Sequence, residues 1–375
     1  MAKAYTPGLK VSARSKYRAR RLLPVHGEVL VKAGDAVKAR DVIARTFIEG
    51  EVTPVAAASQ LSVPASELAG LMVVKQGDTV TVGQVLARSK GIFGFGKKEL
   101  AAPVAGTIES ISATTGQVIL RGAPIAVEVK AYVDGRVTEV LPGEGAVVEN
   151  DAVLVQGIFG VGGETVGPIK VACARPDEKL DAAQVKADMR GSVVLGGARV
   201  TAAAVKAAQD AGVAAIVAGG IDDADLKAIL GYDLGVAITG TERIGLTVVI
   251  TEGFGDIAMA GRTHALLASF AGREASVNGA TQIRAGVMRP EIVIARTAAD
   301  PEPAQGARPE EGALELGTQV RLIRDPYFGL LGSVAALPHE PAVLGSGSKA
   351  RVLEVTLADG RRVTVPRANI ELIET

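Results

Sequence analysis

Few side chains in this sequence have the chemistry for catalysis or metal binding. His26, His264 and His339 are the only histidines, and Cys173 is the only cysteine. General acid–base and zinc chemistry usually recruit clusters of such residues, and these are scattered along the chain. His264 lies among Ala and Leu in a helix-period segment and reads as a satisfied core histidine. Cys173 sits in the apolar run 169–174 and reads as a buried structural thiol. Asp222, Asp223 and Asp225 have the composition of a metal site, but helix capping explains them at less cost. Glu242 and Glu252, near strand ends, are the remaining acid or base candidates, without a partner visible in the sequence. No catalytic residue, metal ligand or cofactor is assigned.

Three Gly-rich loops raise a different chemistry, the cradling of an anion by backbone N–H groups beside a helix N-terminus. The loop 157–163 precedes no helix, so turn geometry accounts for it. Gly196 and Gly197, and Gly219 and Gly220, do lie at strand-to-helix junctions. Neither pair matches the dinucleotide fingerprint or the P-loop with its lysine. Open α/β sheets bind ligands at the C-terminal ends of their strands, so these four glycines are the candidate small-molecule or phosphate site.

The elements that must position these groups fall into segments. Residues 22–176 read as short strands and turns. Within them, residues 31–45 line up with residues 74–88, identical at 8 of 15 positions. Each copy reads as strand, Gly-Asp turn, strand, with Gly34 and Gly77 supplying the turn. From 177 to 297 the pattern alternates strands with helices, which argues for an α/β domain. Its expected helices are 201–211, with Thr201 as N-cap and Gly212 as stop; 222–230, capped by Asp222 or Asp223; and 257–270. Its expected strands are 193–195, 214–217, 236–238, 246–250 and 292–294. Residues 298–312, rich in Pro, Ala, Glu and Gly, read as a linker. Residues 313–375 are β again. The fold expectation is a multidomain α+β protein with a β-rich first half, a central α/β domain and a C-terminal β-barrel.

Composition bounds the partners. Hydrophobic residues make up 48% of the 375, but aromatics only 3%, with no Trp. Base stacking needs exposed rings, so an aromatic nucleic-acid platform is hard to supply. Lys plus Arg and Asp plus Glu both number 41, so any electrostatic footprint is local. The clearest is residues 1–21, where Lys10, Arg14, Lys16, Arg18, Arg20 and Arg21 cluster. They form either a solvated tail or a basic arm for RNA, acidic protein or lipid head groups. No apolar run reaches the roughly 18 to 20 residues that span a bilayer. One cysteine fits a reducing compartment, and cytoplasm is the expected location.

Two module resemblances follow. The pattern Val31-Lys32-x-Gly34-Asp35-x-Val37, then Val42-Ile43-Ala44, its second copy, and the later Ala102-Pro103 with Gly106 and Ile108 resemble barrel-sandwich hybrid domains. That fold group holds biotinyl and lipoyl carriers and many non-carriers. A carrier would present a lysine flanked by methionines at a hairpin tip; Phe95 stands at that place, and Lys97 and Lys98 nearby lack the methionines. The departure implies a non-carrier, with no biotin or lipoyl attachment. Phe93 and Phe95 then either contact a partner or fold back to plug the barrel end. Residues 317–334, with Gly317, Gly329 and Gly332, resemble a KOW module, an SH3-like barrel of transcription and ribosomal proteins. The resemblance implies RNA or protein binding. Tyr327 and Phe328 at its turn are candidate partner contacts. Arg321, Arg324, Arg351, Arg361, Arg362 and Arg367 form either a basic face for nucleic acid or a solvated surface, and 339–349 departs from a minimal unit.

The leading expectation is a non-catalytic scaffold or adaptor that binds protein partners through its β-barrel modules. The alternatives are a nucleic-acid-associated factor and a small-molecule binder or enzyme seated in the α/β domain.

Overall fold

The computed structural model describes residues 9–89, 97–232, 242, 244–281, 288–301, 314–324, 326–327, 329–338, 340–343 and 349–372. Strands predominate over helices, arranged in several sheets, so the chain is a multidomain α+β protein.

The largest sheet has 12 strands and is organised around Gly145–Gln156, the spine strand. One edge of the spine pairs with Val11–Leu22 from Gly145 to Val155. The other edge is shared: Gly135–Leu141 takes residues 145–149, and Glu291–Ala295 takes residues 152–156. The basic segment 1–21 is therefore corrected from arm to strand over its described part. Its residues alternate, and the outward cations meet acids across the ladder: Arg14 pairs with Asp151 at 2.7 Å and Lys16 with Glu149 at 2.9 Å. Hydrogen bonding and charge attraction to Glu149 raise the Lys16 ammonium pKa. The acidic partners lie about 130 residues away in sequence, which is why the cluster read as unpaired.

Four strands in succession across the sheet run parallel, Glu164–Val171, Val193–Leu195, Ala215–Ile221 and Thr247–Phe254, and Arg199–Val200 pairs parallel with the end of the third. Parallel strands are buried on both faces, so both parities must be apolar. Val194, Ile216, Val248 and Ile250 face a core shared with the helices Ala202–Ala211 and Asp223–Leu230. Val193, Leu195, Val217 and Val249 face a second core with Leu267 of the helix Gly261–Ser269. This α/β body begins before residue 177, because Ile158, Phe159, Val161 and Cys173 belong to its core. The boundary at 176 falls inside it.

Thr201 caps its helix as expected, accepting from the Ala204 N–H at 3.1 Å, and Gly212 ends it at φ 72°. The helix 222–230 begins at Asp223, and the Asp222 carboxylate makes no cap bond; it pairs instead with Arg199. The helix 257–270 is shorter than expected, because residues 257–259 run across neighbouring strands and the Met259 N–H donates to the Pro176 carbonyl. The expected strand 236–238 lies outside the described residues.

The two repeats fold alike. Gly34 and Gly77 both turn at positive φ, 95° and 92°. The Lys32 N–H donates to Asp35 at 2.8 Å, and the Lys75 N–H to Asp78 at 2.7 Å. The Gly34 and Gly77 N–H groups reach Val137 and Ile108 carbonyls in the matching position. The second copy, however, is nested in a loop of the first. A Cβ at Gly50 would collide with the Gly122 backbone, so the chain enters and leaves at one neck. Residues between have their own core, with Leu68, Leu86, Leu100, Ile108 and Leu120.

The C-terminal unit is a five-stranded antiparallel sheet over a core of Val320, Val334, Leu353, Val355 and Ile370. Gly332 leaves room for the Thr356 carbonyl. The insertion 339–349 holds a short pairing of Ala342–Val343 with Lys349–Ala350.

Removing residues 51–121 and joining Gly50 to Gly122 is expected to leave the remaining chain folded. A melting curve by circular dichroism should stay cooperative, with its midpoint shifted by about 2–4 °C, the effect of roughly 1 kcal/mol. Loss of the cooperative transition would show that the nested module is part of the body.

Candidate functional site

The four candidate glycines sit at the C-terminal ends of Val193–Leu195 and Ala215–Ile221, as expected, but the space above them is filled by the chain itself. A Cβ at Gly197 would collide with the carbonyls of Arg175 and Glu178. One at Gly219 would collide with residues 257–259, and one at Gly220 with the Gly255 carbonyl. Gly196 lies under the Leu180 side chain. Three of the four N–H groups already donate to carbonyls: Gly196 to Val217, Gly219 to Gly197, and Gly220 to Ala198. These glycines allow close backbone packing, which accounts for them without an anion. The loop 157–163 is likewise structural, since Phe159–Val161 pairs with Thr247–Phe254.

The C-terminal unit closes the remaining strand end. Arg321 is only 3% exposed. Its guanidinium reaches Glu252 of the body at 2.8 Å and its ladder neighbour Glu371 at 3.4 Å. Arg289 approaches Glu371 at 3.6 Å, and burial lowers the Arg289 pKa. Glu252 also accepts from the Ala260 N–H at 3.0 Å. Arg321 Nε and Glu371 Oε1 have no hydrogen-bond partner among the described residues. Beside this cluster Gly329, at φ 80°, packs on Phe254, and a Cβ at Gly253 would collide with the Gly329 carbonyl. Ile323 completes the body's core. Glu252 thus has its partner in a different domain, a pairing that sequence spacing does not show.

The candidate basic face does not converge. Arg321 is corrected from nucleic-acid contact to buried ion pair. Arg367 donates to the Val352 and Pro338 carbonyls, and Arg361 pairs with Asp359 at 2.6 Å. Arg324 and Arg362 are exposed. Tyr327 is half-buried against the unit's own core. Phe93, Phe95, Phe328 and His339 lie outside the described residues.

Other candidates are structural. His264 is buried, with Nε2 3.0 Å from the Cys173 carbonyl. Burial pushes the Cys173 thiol up to about 11. Asp222 and Asp225 flank Arg199, and Asp225 accepts from the Ala202 N–H at 3.0 Å. Among the described residues no group of three or more His, Cys, Asp and Glu stands together to hold a metal.

Two features were not visible in the sequence. Between the first module and the body lies a cavity of about 530 Å³, bordered by Lys38, Asp134, Arg273 and Glu274. Lys38 pairs with Asp134 and Arg273 with Asp300, so its charges are largely answered. Nearby, Tyr17 and Tyr132 both donate to Glu291. Tyr132 is buried at φ 70°, a conformation rarely adopted by a bulky residue. The Arg21 guanidinium lies 5.2 Å from its ring and forks onto Glu164. Burial raises the Glu291 carboxyl pKa, against the two phenolic hydrogen bonds that lower it.

Compared with known proteins, the chain matches no family model and no curated protein.

Two measurements follow from this geometry. Arg321→Met leaves Glu252 buried without its cation and Glu371 with Arg289 alone, and a urea titration should show a loss of about 3–5 kcal/mol. A loss below about 1 kcal/mol would mean that the junction does not hold the C-terminal unit. Glu291→Gln keeps an acceptor for both phenols and removes the charge. Since the folded pKa is raised, Glu291 ionisation costs wild-type stability as pH rises through that pKa. The variant should gain on wild type from acid to neutral pH, and a constant difference would contradict the assignment.

Proposed function

We propose that this chain is a non-catalytic scaffold or adaptor that binds protein partners through its β modules. The observation that carries the reading is the closure of the parallel strand ends. Where an open α/β sheet takes its ligand, this one is covered by residues 175–178, by residues 257–259 and by the C-terminal unit anchored through Arg321. The polar groups of Arg321 and Glu252 there pair within the chain itself. The nested module is joined to the rest at a single neck and is left free of the body.

The barrel-sandwich hybrid and KOW resemblances fit this role, as members of both groups serve as docking elements. Among the described residues no helix is long and apolar enough to cross a membrane. The single cysteine, buried and unpaired, fits a reducing compartment, and on that ground we place the protein in the cytoplasm. A nucleic-acid role rests on fewer groups, because the C-terminal arginines are dispersed, buried or paired.

The test is purification of the tagged full chain at low salt, with mass spectrometry and nucleic-acid quantitation of what comes with it. A reproducible set of proteins without RNA is the expected result. Ribosomal or polymerase subunits with salt-sensitive RNA would favour the KOW-type alternative. A lone protein stabilised by a metabolite would move the function to the α/β body.

A further inference from the structure

Ile125–Lys130 is an edge strand. It pairs with Val42–Ile48 on one side, and no strand among the described residues covers the other. Its exposed residues alternate as Ala126, Glu128 and Lys130, with Ile125 51% exposed at its start. The direction of its free hydrogen-bonding groups is fixed by one contact: Arg21 Nε donates to the Lys130 carbonyl from outside the sheet at 2.8 Å. Backbone groups of a strand alternate sides with period two, so Glu128 and Ala126 also turn their N–H and C=O outward. A long, exposed edge of this kind is a template for another strand unless it is blunted. Here Arg21 blunts only the far end.

The side chains along the edge say what would fit. Phe47, 64% exposed, stands across the ladder from Ala126 on the same face. Ala126 is too small to cover it. A strand added beside Ala126 would bring its own side chain over that methyl and onto the Phe47 ring, so an apolar residue belongs there. Glu128 stands across from Arg45, but Arg45 is already paired with Glu28 at 2.8 Å. A basic residue of the added strand would sit beside Glu128, and an acidic one beside Lys130. Beside Glu128 and Lys130 a groove of about 340 Å³ is bordered by Glu164 and Val166, with Arg21 also lining it. It gives an extended segment room to lie down.

We propose that Ile125–Lys130 accepts an extended segment of a protein partner by strand addition, with alternating positions apolar, basic and acidic opposite Ala126, Glu128 and Lys130. This inference rests on the partner-binding reading above. Main-chain pairing supplies the affinity in such recognition, and alternate side chains supply the specificity.

The experiment is fluorescence anisotropy with the full chain and labelled peptides reading Thr-Phe-Thr-Lys-Thr-Glu-Thr and its reverse, which covers both strand orientations. One of the two should bind about tenfold tighter than a scrambled control. Ala126→Pro removes an outward N–H while sparing the ladder to Val42–Ile48, and it should abolish binding. Phe47→Ser should weaken binding without touching the backbone. Glu128→Lys should weaken it and be rescued by a peptide with Glu in place of Lys. Rescue supports the site even if Ala126→Pro proves unfolded by its melting curve. Failure of both peptides to bind better than the scramble overturns the proposal. So does a dimer of the wild type that Ala126→Pro abolishes, since a second copy would then be the occupant. If Ala126→Pro retains the same co-purifying proteins as wild type, the edge assignment fails and the scaffold reading stands. If neither chain retains any protein, the scaffold reading fails.

Discussion

The spine strand Gly145–Gln156 must find hydrogen-bond partners along both edges, because a buried N–H or C=O left alone costs about 1–3 kcal/mol. The rest of the architecture follows from how that requirement is met. One edge is filled from the N-terminus by Val11–Leu22. The other is divided between Gly135–Leu141, which belongs to the first module, and Glu291–Ala295, which belongs to the body. A single strand therefore makes one sheet out of two regions. Neither region can be moved without opening a ladder of the other, and the two cores meet along it: Val153 and Val155 face the body, Val148 and Ala152 the module.

Local features of this arrangement were legible in the sequence. The repeat at 31–45 and 74–88, the turns at Gly34 and Gly77, the capped helix after Thr201 and the C-terminal strands all depend on neighbours a few residues away. What was not legible depends on distant pairing. The cations of residues 10–21 read as a free arm because Glu149 and Asp151 lie far along the chain. The boundary near Pro176 followed a change of composition, whereas the sheet had already joined the body at Phe159–Val161. The Gly-rich loops misled for a related reason. A glycine at a strand end permits either a phosphate or another backbone to come close, and the sequence does not distinguish them. At Gly197, Gly219 and Gly220 the neighbour is backbone. Arg321 and Glu252 form the clearest case, since two ordinary charged residues in different domains become a buried pair only when the domains dock.

The repeat also shows how one turn came to serve two ends. In the first copy Ala39 is 5% exposed, and Arg40 ties the turn to the Val166 carbonyl and to Glu274 of the body. In the second copy the matching residues are Val82 and Gly83, and Val82 is 67% exposed. The guanidinium that anchors the first module has no counterpart in the second. The two copies bury matching residues, Val37 and Val80, Ile43 and Leu86, in separate cores and share a turn geometry, so the difference lies in what their surfaces were left free to do. One is committed to the body, and the other is carried away from it.

A buried ion cluster at the junction of two domains is a costly way to gain stability, because the charges lose water that their mutual attraction only partly replaces. Apolar side chains would hold Gln319–Leu322 against Thr247–Phe254 at least as firmly. What the Arg321, Glu252 and Glu371 arrangement adds is selectivity of position. A guanidinium must meet two carboxylates from different strands at once, and a shifted docking would leave charge buried and unanswered. The glycines act in the same sense, since Gly253 and Gly329 admit the two backbones only in one approach. Steric room and charge together select one placement of the C-terminal unit, and that placement covers the strand ends where a ligand would otherwise enter. The closure that argues against a ligand in the body is thus specified by the same side chains that fix the domain order. That leaves the uncommitted edges of the modules as the surfaces on which the proposed partner binding rests.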